Sequence, residues 1–406
     1  MAWILLRFEH SPMFETRKKS RAMHHQNTVI HGLLKLMPWG SFDRSVDRHQ
    51  ADKKVRRLTT RNQFVALLFG QLSGAESLRA IVSGFESHAC RLYHLGACEV
   101  SRSTLSDANA KRPYAVFMEV LAELMDRCEV SLGRKVADAV HLVDSTSLRL
   151  NSLSAHWAQF SPGVSGAKLH IVYNPDSERP NFAEVTPANV NDITVAKTMP
   201  IRSGATYVFD LGYYDYGWWA DLNEAGCRLI TRLKRNTPLA VVTEQPVPKG
   251  SAVLSDRIGH LPSRQARNRK NPFQDPVREL RVRTETGKIL RIVTNDLDSS
   301  ADDIAELYKR RWQIELFFRW IKQTLKIRHF LGTSENAVRI QIAVALITFL
   351  LIRMAHRLQS GVQTLLTFTR LVSQNLMLRR PIDRLLDPPP PLIKDQRQMS
   401  LNLCQT

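Results

Sequence analysis

Between residues 139 and 233 the chain carries five apolar runs whose order leaves few ways to fold. Residues 139–151, 168–174 and 182–187 read as three successive strands with short links, one of them turning at Pro175-Asp176. That succession predicts an antiparallel meander. Residues 206–210 read as a fourth strand, 217–226 as a helix closed by Gly226, and 228–233 as a fifth strand. Strand, helix, strand in that order implies a parallel crossover. The expected class is α/β.

The flanking segments have other patterns. Residues 24–134 form a basic, helical unit, with Phe64, Leu67, Leu68 and Leu72 at helical spacing until Gly74. The basic stretch from Arg44 to Arg61 reads as an exposed loop or helix end. Ser101 caps a short helix stopped by Pro113, whose Ser, Thr, Arg and Asn side chains suit either a DNA recognition element or a plain surface helix. Residues 235–290 read as a β-rich insertion, with the basic loop Arg264 to Asn271 expected to face DNA. Ser299 and Ser300 precede one long helix with Asp302 and Asp303 in its first turn, where carboxylates favour the dipole. Residues 335–380 hold one or two amphipathic helices. Their apolar run, Ile342 to Ile352, is shorter than the roughly 20 residues a bilayer needs and reads as a buried helix. Residues 1–22 are unlike the amphipathic chain after them, with Met23 as an alternative start. Residues 381–406 include Pro388 to Pro391 and are expected to be disordered.

Lys and Arg number 57 against 38 Asp and Glu, a net charge of +19. That excess favours a polyanionic partner, because each neutralised phosphate releases counterions. Five scattered cysteines argue against a disulfide framework and for a reducing, cytoplasmic setting. His88, Cys90, His94 and Cys98 cluster in sequence but match no common zinc spacing. The apolar start Ala2 to Leu6 is cut short by Arg7, Glu9 and His10, unlike a signal peptide.

Two aspartates close apolar strand runs: Asp144 after Val140-His141-Leu142-Val143, and Asp210 after Tyr207-Val208-Phe209. On a continuous helix at about 100° per residue, Tyr308, Arg311, Glu315 and Lys322 fall within about 60° of one another. A carboxylate among cations suits a site that holds a divalent metal and a phosphodiester together. Two such ions about 4 Å apart can activate a nucleophile and stabilise a leaving oxygen. Mg²⁺ takes oxygen ligands, which Asp144, Asp210 and Glu315 would supply. Nearby rivals have simpler readings. Asp215 caps the following helix, Glu306 lies opposite Glu315, His141 faces away from Asp144, and Trp218 and Trp219 pack inside.

The spacing Tyr308, two residues, Arg311, three residues, Glu315, six residues, Lys322 resembles the signature of DDE transposases of insertion-sequence family 4. The contexts Leu142-Val143-Asp144-Ser145-Thr146 and Phe209-Asp210-Leu211-Gly212-Tyr213 resemble that family's two aspartate boxes. The resemblance implies a ribonuclease-H-like catalytic domain at residues 135–334, interrupted by the 235–290 insertion and preceded by a helical DNA-binding domain. It implies that Asp144, Asp210 and Glu315 are ligands of two Mg²⁺ or Mn²⁺ ions, while Arg311 and Lys322 grip phosphates and Tyr308 positions the terminal phosphate. It further implies cleavage of element ends and joining of 3′ hydroxyls to target DNA, on terminal inverted repeats, by a dimer. Relatives with a hairpin step use a tryptophan from the insertion, yet residues 235–290 here contain none. Two other readings remain: a metal-dependent nuclease without strand transfer, and a decayed or domesticated DNA-binding protein.

Overall fold

The computed structural model describes residues 28–130, 139–161, 163–247, 250–266, 269–325, 327, 330–359, 361 and 364–385. The expectations for residues 1–22, for a boundary at Lys135 and for the tail from residue 386 lie outside the described residues. The disorder expected from residue 381 is corrected at its start, because Ile382–Arg384 form a short 3-10 turn and Ile382 and Leu385 are buried.

Helices come first: α1 (Val29–Leu34), α2 (Trp39–Arg48), α3 (Thr60–Ser73), α4 (Leu78–Ser87), α5 (Ala89–Leu92), α6 (Arg102–Lys111) and α7 (Ala115–Val130). Thr28, Thr59, Ser77 and Ser101 each accept a backbone N–H three residues on. Those bonds satisfy donors that a first helical turn leaves open. Gly74 closes α3 at φ 70°, a left-handed conformation that favours glycine. The stretch from Arg44, read as loop or helix end, is helical as far as Arg48, because Phe42, Ser45 and Val46 bury one face of α2.

The sheet comes next. β1 (Val140–Arg149), α8 (Ala155–Ala158), β2 (Gln159–Ser161), β3 (Val164–Asn174) and β4 (Arg179–Pro187) precede α9 (Asp192–Ala196), β5 (Thr206–Phe209), α10 (Tyr216–Glu224) and β6 (Arg228–Arg232). β1 pairs antiparallel with β3, and β3 with β4, giving the meander. β5 runs parallel to β1, and β6 parallel to β5, giving the crossover through α10. Beyond them lie β7 (Ala240–Gln245), β8 (Val253–His260), β9 (Arg264–Ala266), β10 (Arg269–Lys270), β11 (Val277–Arg283) and β12 (Ile289–Thr294). Four of these extend the main sheet to ten strands, in the order β2-β3-β1-β5-β6-β12-β11-β8-β7 with β4 on β3. The basic loop expected at Arg264 to Asn271 is instead built on the antiparallel pair β9–β10.

The helical expectation after Ser300 is corrected. In place of one long helix there are two, α11 (Ala301–Arg310) and α12 (Trp312–Thr324), meeting at Arg311. Ser300 caps the first as expected, accepting the Asp303 N–H. Each half has its own anchors on a twisted sheet. Ile304 and Tyr308 are buried on α11, which packs on β5 and β6; Ile314, Phe317 and Phe318 are buried on α12, which packs on β1. Phe317 stacks on Tyr173 at 4.8 Å between centroids.

α13 (Glu335–Arg357) and α14 (Leu365–Gln374) complete the described helices. α13 is not amphipathic over its middle: every residue from Ile342 to Ile352 is at most 3% exposed. It packs against α3, α6, α7, α12 and α14. Its 23 residues are long and apolar enough to cross a membrane, but 78% of the apolar window is buried inside the protein. Strand alternation divides the apolar residues. Leu142, Ile171, Val208 and Ile230 join the cluster containing α12 and α13. Val143, Val172, Phe209 and Leu229 join the cluster of Trp218 and Trp219 on the other side.

Candidate active site

The parallel pairing of β1 and β5 ends at Val143 and Phe209. The next residue on each strand is an aspartate, so Asp144 and Asp210 emerge side by side, about 4.8 Å apart in backbone. By alternation both share the face of Leu142 and Val208, the face that α11 and α12 cover. β1 itself continues to Arg149, so Asp144 is a mid-strand residue at the end of the parallel segment rather than at a strand end. Asp210 opens a tight turn, where its Oδ1 accepts the Gly212 N–H at 2.8 Å. Oδ1 of Asp144 accepts the Ser145 N–H at 2.8 Å.

Arg311 sits at the break between α11 and α12 and spans two acids. Its Nη1 lies 3.5 Å from Asp144 Oδ2, and its Nη2 lies 2.7 Å from Glu315 Oε1. Burial pushes the Asp144 carboxyl up to about 6, and the charges of Asp210 and Glu315 add to the rise against the Ser145 N–H and Arg311. Burial alone would lower the Arg311 guanidinium, but its bond to Glu315 and the charges of Tyr308, Glu315 and Asp144 raise it instead. Tyr308 is buried, which raises its phenol, with Arg311, Arg232 and Asp210 all within electrostatic reach. Lys322 lies half-buried on α12, seven residues beyond Glu315. Tyr308, Arg311, Asp144, Asp210 and Glu315 are thus gathered at one place despite the broken helix.

Three carboxylates with no nitrogen or sulfur donor among them suit a hard divalent cation. Asp144, desolvated and facing two like charges, is the sort of acid that such a cation stabilises. Among the described residues no three acid, imidazole or thiol side chains already converge at ligand distance; Arg311 bridges Asp144 and Glu315.

The rival residues resolve simply. Asp215 caps α10 through the Trp218 N–H at 2.9 Å and pairs with Lys197 and Arg269. Asp303 bonds the cap Ser300, Asp302 bonds Ser251, and Glu306 is exposed. His141 is fully buried against Tyr207, and Trp218 and Trp219 are core residues. At the histidine–cysteine cluster, Cys98 accepts a hydrogen bond from Asn62 Nδ2 at 2.9 Å. Trp312, beside Arg311, is 52% exposed.

Two residues near the carboxylates escape a sequence reading. Val208 pairs with Ile230 across β5 and β6, so two residues on, Arg232 stands beside Asp210. Only the register, not any spacing, brings that cation in. Asp192 approaches from α9, where its Oδ1 accepts from Ser145 Oγ at 2.7 Å and from Lys168 Nζ at 3.0 Å.

The transposase DDE domain family matches residues 137–351, over half of the chain, and a domain of unknown function, DUF4372, matches residues 25–98. The transposase y4zB of Sinorhizobium fredii is 43% identical over 290 residues, covering 70% of this chain and 80% of the relative. The transposase for insertion sequence element IS5377 of Geobacillus stearothermophilus is 29% identical over 255 residues, covering 62% of this chain and 66% of the relative. Among solved structures, a piggyBac transposase synaptic complex with hairpin DNA matches at 10% identity and a TM-score of 0.44, covering 89% of this chain and 81% of that chain. That last likeness is too slight to bear on the fold. The chain is therefore an enzyme of DNA transposition. It belongs to the transposase DDE domain family, with insertion-sequence transposases as relatives, and that family implies divalent-metal dependence.

Proposed function

We propose that Asp144, Asp210 and Glu315 are the catalytic carboxylates, and that this transposase cleaves insertion-element ends and joins their 3′ hydroxyls to target DNA. The observation that carries the reading is the convergence of Asp144 and Asp210, just past the end of the parallel β1–β5 pairing, with Arg311 linking Asp144 to Glu315. The order β4-β3-β1-β5-β6, antiparallel then parallel, supports a ribonuclease-H-like assignment for this part of the sheet.

In this reading the three carboxylates hold two ions, Mg²⁺ or Mn²⁺. Bound there, the ions would polarise the scissile phosphate and stabilise the attacking and leaving oxygens. Arg311, Lys322 and Arg232 place positive charge where phosphate oxygens lie, and Tyr308 orients the terminal phosphate. In the first step water attacks phosphorus, the bond to the 3′ oxygen breaks, and a 3′ hydroxyl and a 5′ phosphate result. In the second that hydroxyl attacks a target phosphorus and displaces the target's 3′ oxygen. One phosphodiester is exchanged for another, so no nucleotide hydrolysis is needed. Residues 24–134 would bind the terminal inverted repeats, the 235–290 strands would face DNA, and two protomers would act on paired ends, in the cytoplasm at the nucleoid.

The test is end cleavage on the element's own flanking DNA with Mg²⁺ or Mn²⁺, wild type beside Glu315→Gln. The variant is expected to bind DNA as wild type does and to cleave none. Wild-type cleavage by Glu315→Gln would sink the site assignment. Cleavage without joining of precut 3′-hydroxyl ends would reduce the protein to a nuclease.

A further inference from the structure

We propose that Asp192 is a positioning residue that fixes the Asp210 turn against β1, and so sets the separation of Asp144 and Asp210. The inference rests on the reading of those two aspartates as metal ligands.

Four elements meet at this one carboxylate. Asp192 is the first residue of α9. Its Oδ1 accepts the hydroxyl of Ser145, the residue after Asp144 on β1, at 2.7 Å. The same oxygen pairs with Lys168 Nζ on β3 at 3.0 Å, with His170 Nδ1 a further neighbour at 3.7 Å. Lys168 also donates to the Val190 carbonyl at 2.8 Å, which ties the approach to α9 onto the same strand. The other oxygen faces the turn after β5: a Cβ on Gly212 would lie 3.4 Å from Asp192 Oδ2 and 3.0 Å from Asp210 Oδ1. Glycine at position 212 thus lets both carboxylates approach the same backbone.

The location separates this group from an ordinary surface ion pair. Lys168 is 14% exposed and His170 is 0% exposed in their side chains, against 25% for Asp192. Ser145 and His170 are register partners on β1 and β3, on the face opposite Asp144. Asp192 therefore grips the strand from behind while Asp144 faces α12. Loss of such a partner leaves the ligands in place but lets their spacing vary, and loss of the groups that orient ligands costs roughly ten- to a hundredfold in metal affinity.

The experiment is Mn²⁺ titration of the full chain, with free Mn²⁺ read by electron paramagnetic resonance, for wild type, Asp144→Asn, Asp192→Asn and Ser145→Ala. Thermal midpoints and DNA binding are measured alongside. Asp144→Asn is expected to lose Mn²⁺ binding. Asp192→Asn and Ser145→Ala are expected to weaken it roughly tenfold or more, with DNA binding unchanged. Should Asp192→Asn fail to fold, Ser145→Ala decides, since it removes only the hydroxyl link. Wild-type Mn²⁺ affinity in the folded Asp192→Asn and Ser145→Ala proteins, with Asp144→Asn defective, overturns the inference and leaves the ligand reading intact. Wild-type affinity in Asp144→Asn overturns both.

Discussion

Arg232 shows how a single residue can belong to a site that no motif announces. It stands beside Asp210 on the neighbouring parallel strand and within electrostatic reach of Tyr308. If it holds a phosphate, Arg232→Gln should weaken DNA binding evenly across sequences and reduce the salt dependence of log affinity by about one unit of slope. Equilibrium binding at several salt concentrations reads this; an unchanged slope would remove Arg232 from the DNA contacts. His170 makes a separate statement about pH. Burial lowers its imidazole from the usual 6.5 to about 4, against the raising effect of Asp192 and with the lowering effect of Lys168. The folded state keeps the ring neutral, so the unfolded chain binds the extra proton between those two values. The stability this ring contributes is present above about 6.5 and is lost as pH falls towards 4, on the order of 3 kcal/mol in all. Urea unfolding of wild type and His170→Asn across that window should show the wild type losing more stability.

Among the elements, those with a local signal were readable. Ser101 and Ser300 announce the helices they cap, and the apolar runs before Asp144 and Asp210 announce their strands. Glu315 and Arg311 are four residues apart, so their meeting needs only a helical turn. What escaped depends on packing between distant segments. The break at Arg311 reflects two anchoring surfaces on the sheet, which no periodicity within residues 301–324 encodes. Asp192 is a polar residue in a link, and its partners lie 47 and 24 residues away. The apolar run Ile342 to Ile352 was legible as a buried helix, and α13 is enclosed there on all sides; only the amphipathic reading of the wider segment, whose flanks carry Glu335, Arg339 and Arg353, did not extend to its middle. Leu346 is fully buried there. Leu346→Ala should cost about 2–5 kcal/mol through lost burial and the cavity left behind. Chemical denaturation checks it, and a loss below about 1 kcal/mol would contradict the enclosed position.

For the whole molecule, the charge of +19 is a statement about association. Affinity for duplex end DNA should fall roughly a thousandfold or more between 50 and 200 mM salt if six or more phosphates are neutralised. A flat response would argue against phosphate-driven binding. The helices before β1 and the meander and crossover strands also share one continuous apolar cluster, from Val29 through Leu142 and Val208 to Leu385.

That enclosure of α13 has a consequence for the timing of synthesis. α3, α6 and α7 all precede β1, yet the helix that fills the space among them is Glu335–Arg357. Their contacts with it span more than 200 residues, so they must wait for it. While the ribosome is still making the segment between α7 and α13, those earlier helices expose the apolar surface that α13 later covers. A nascent chain released before α13 emerges would be left with an unfilled core and a tendency to aggregate. The core therefore closes only once α13 has been made.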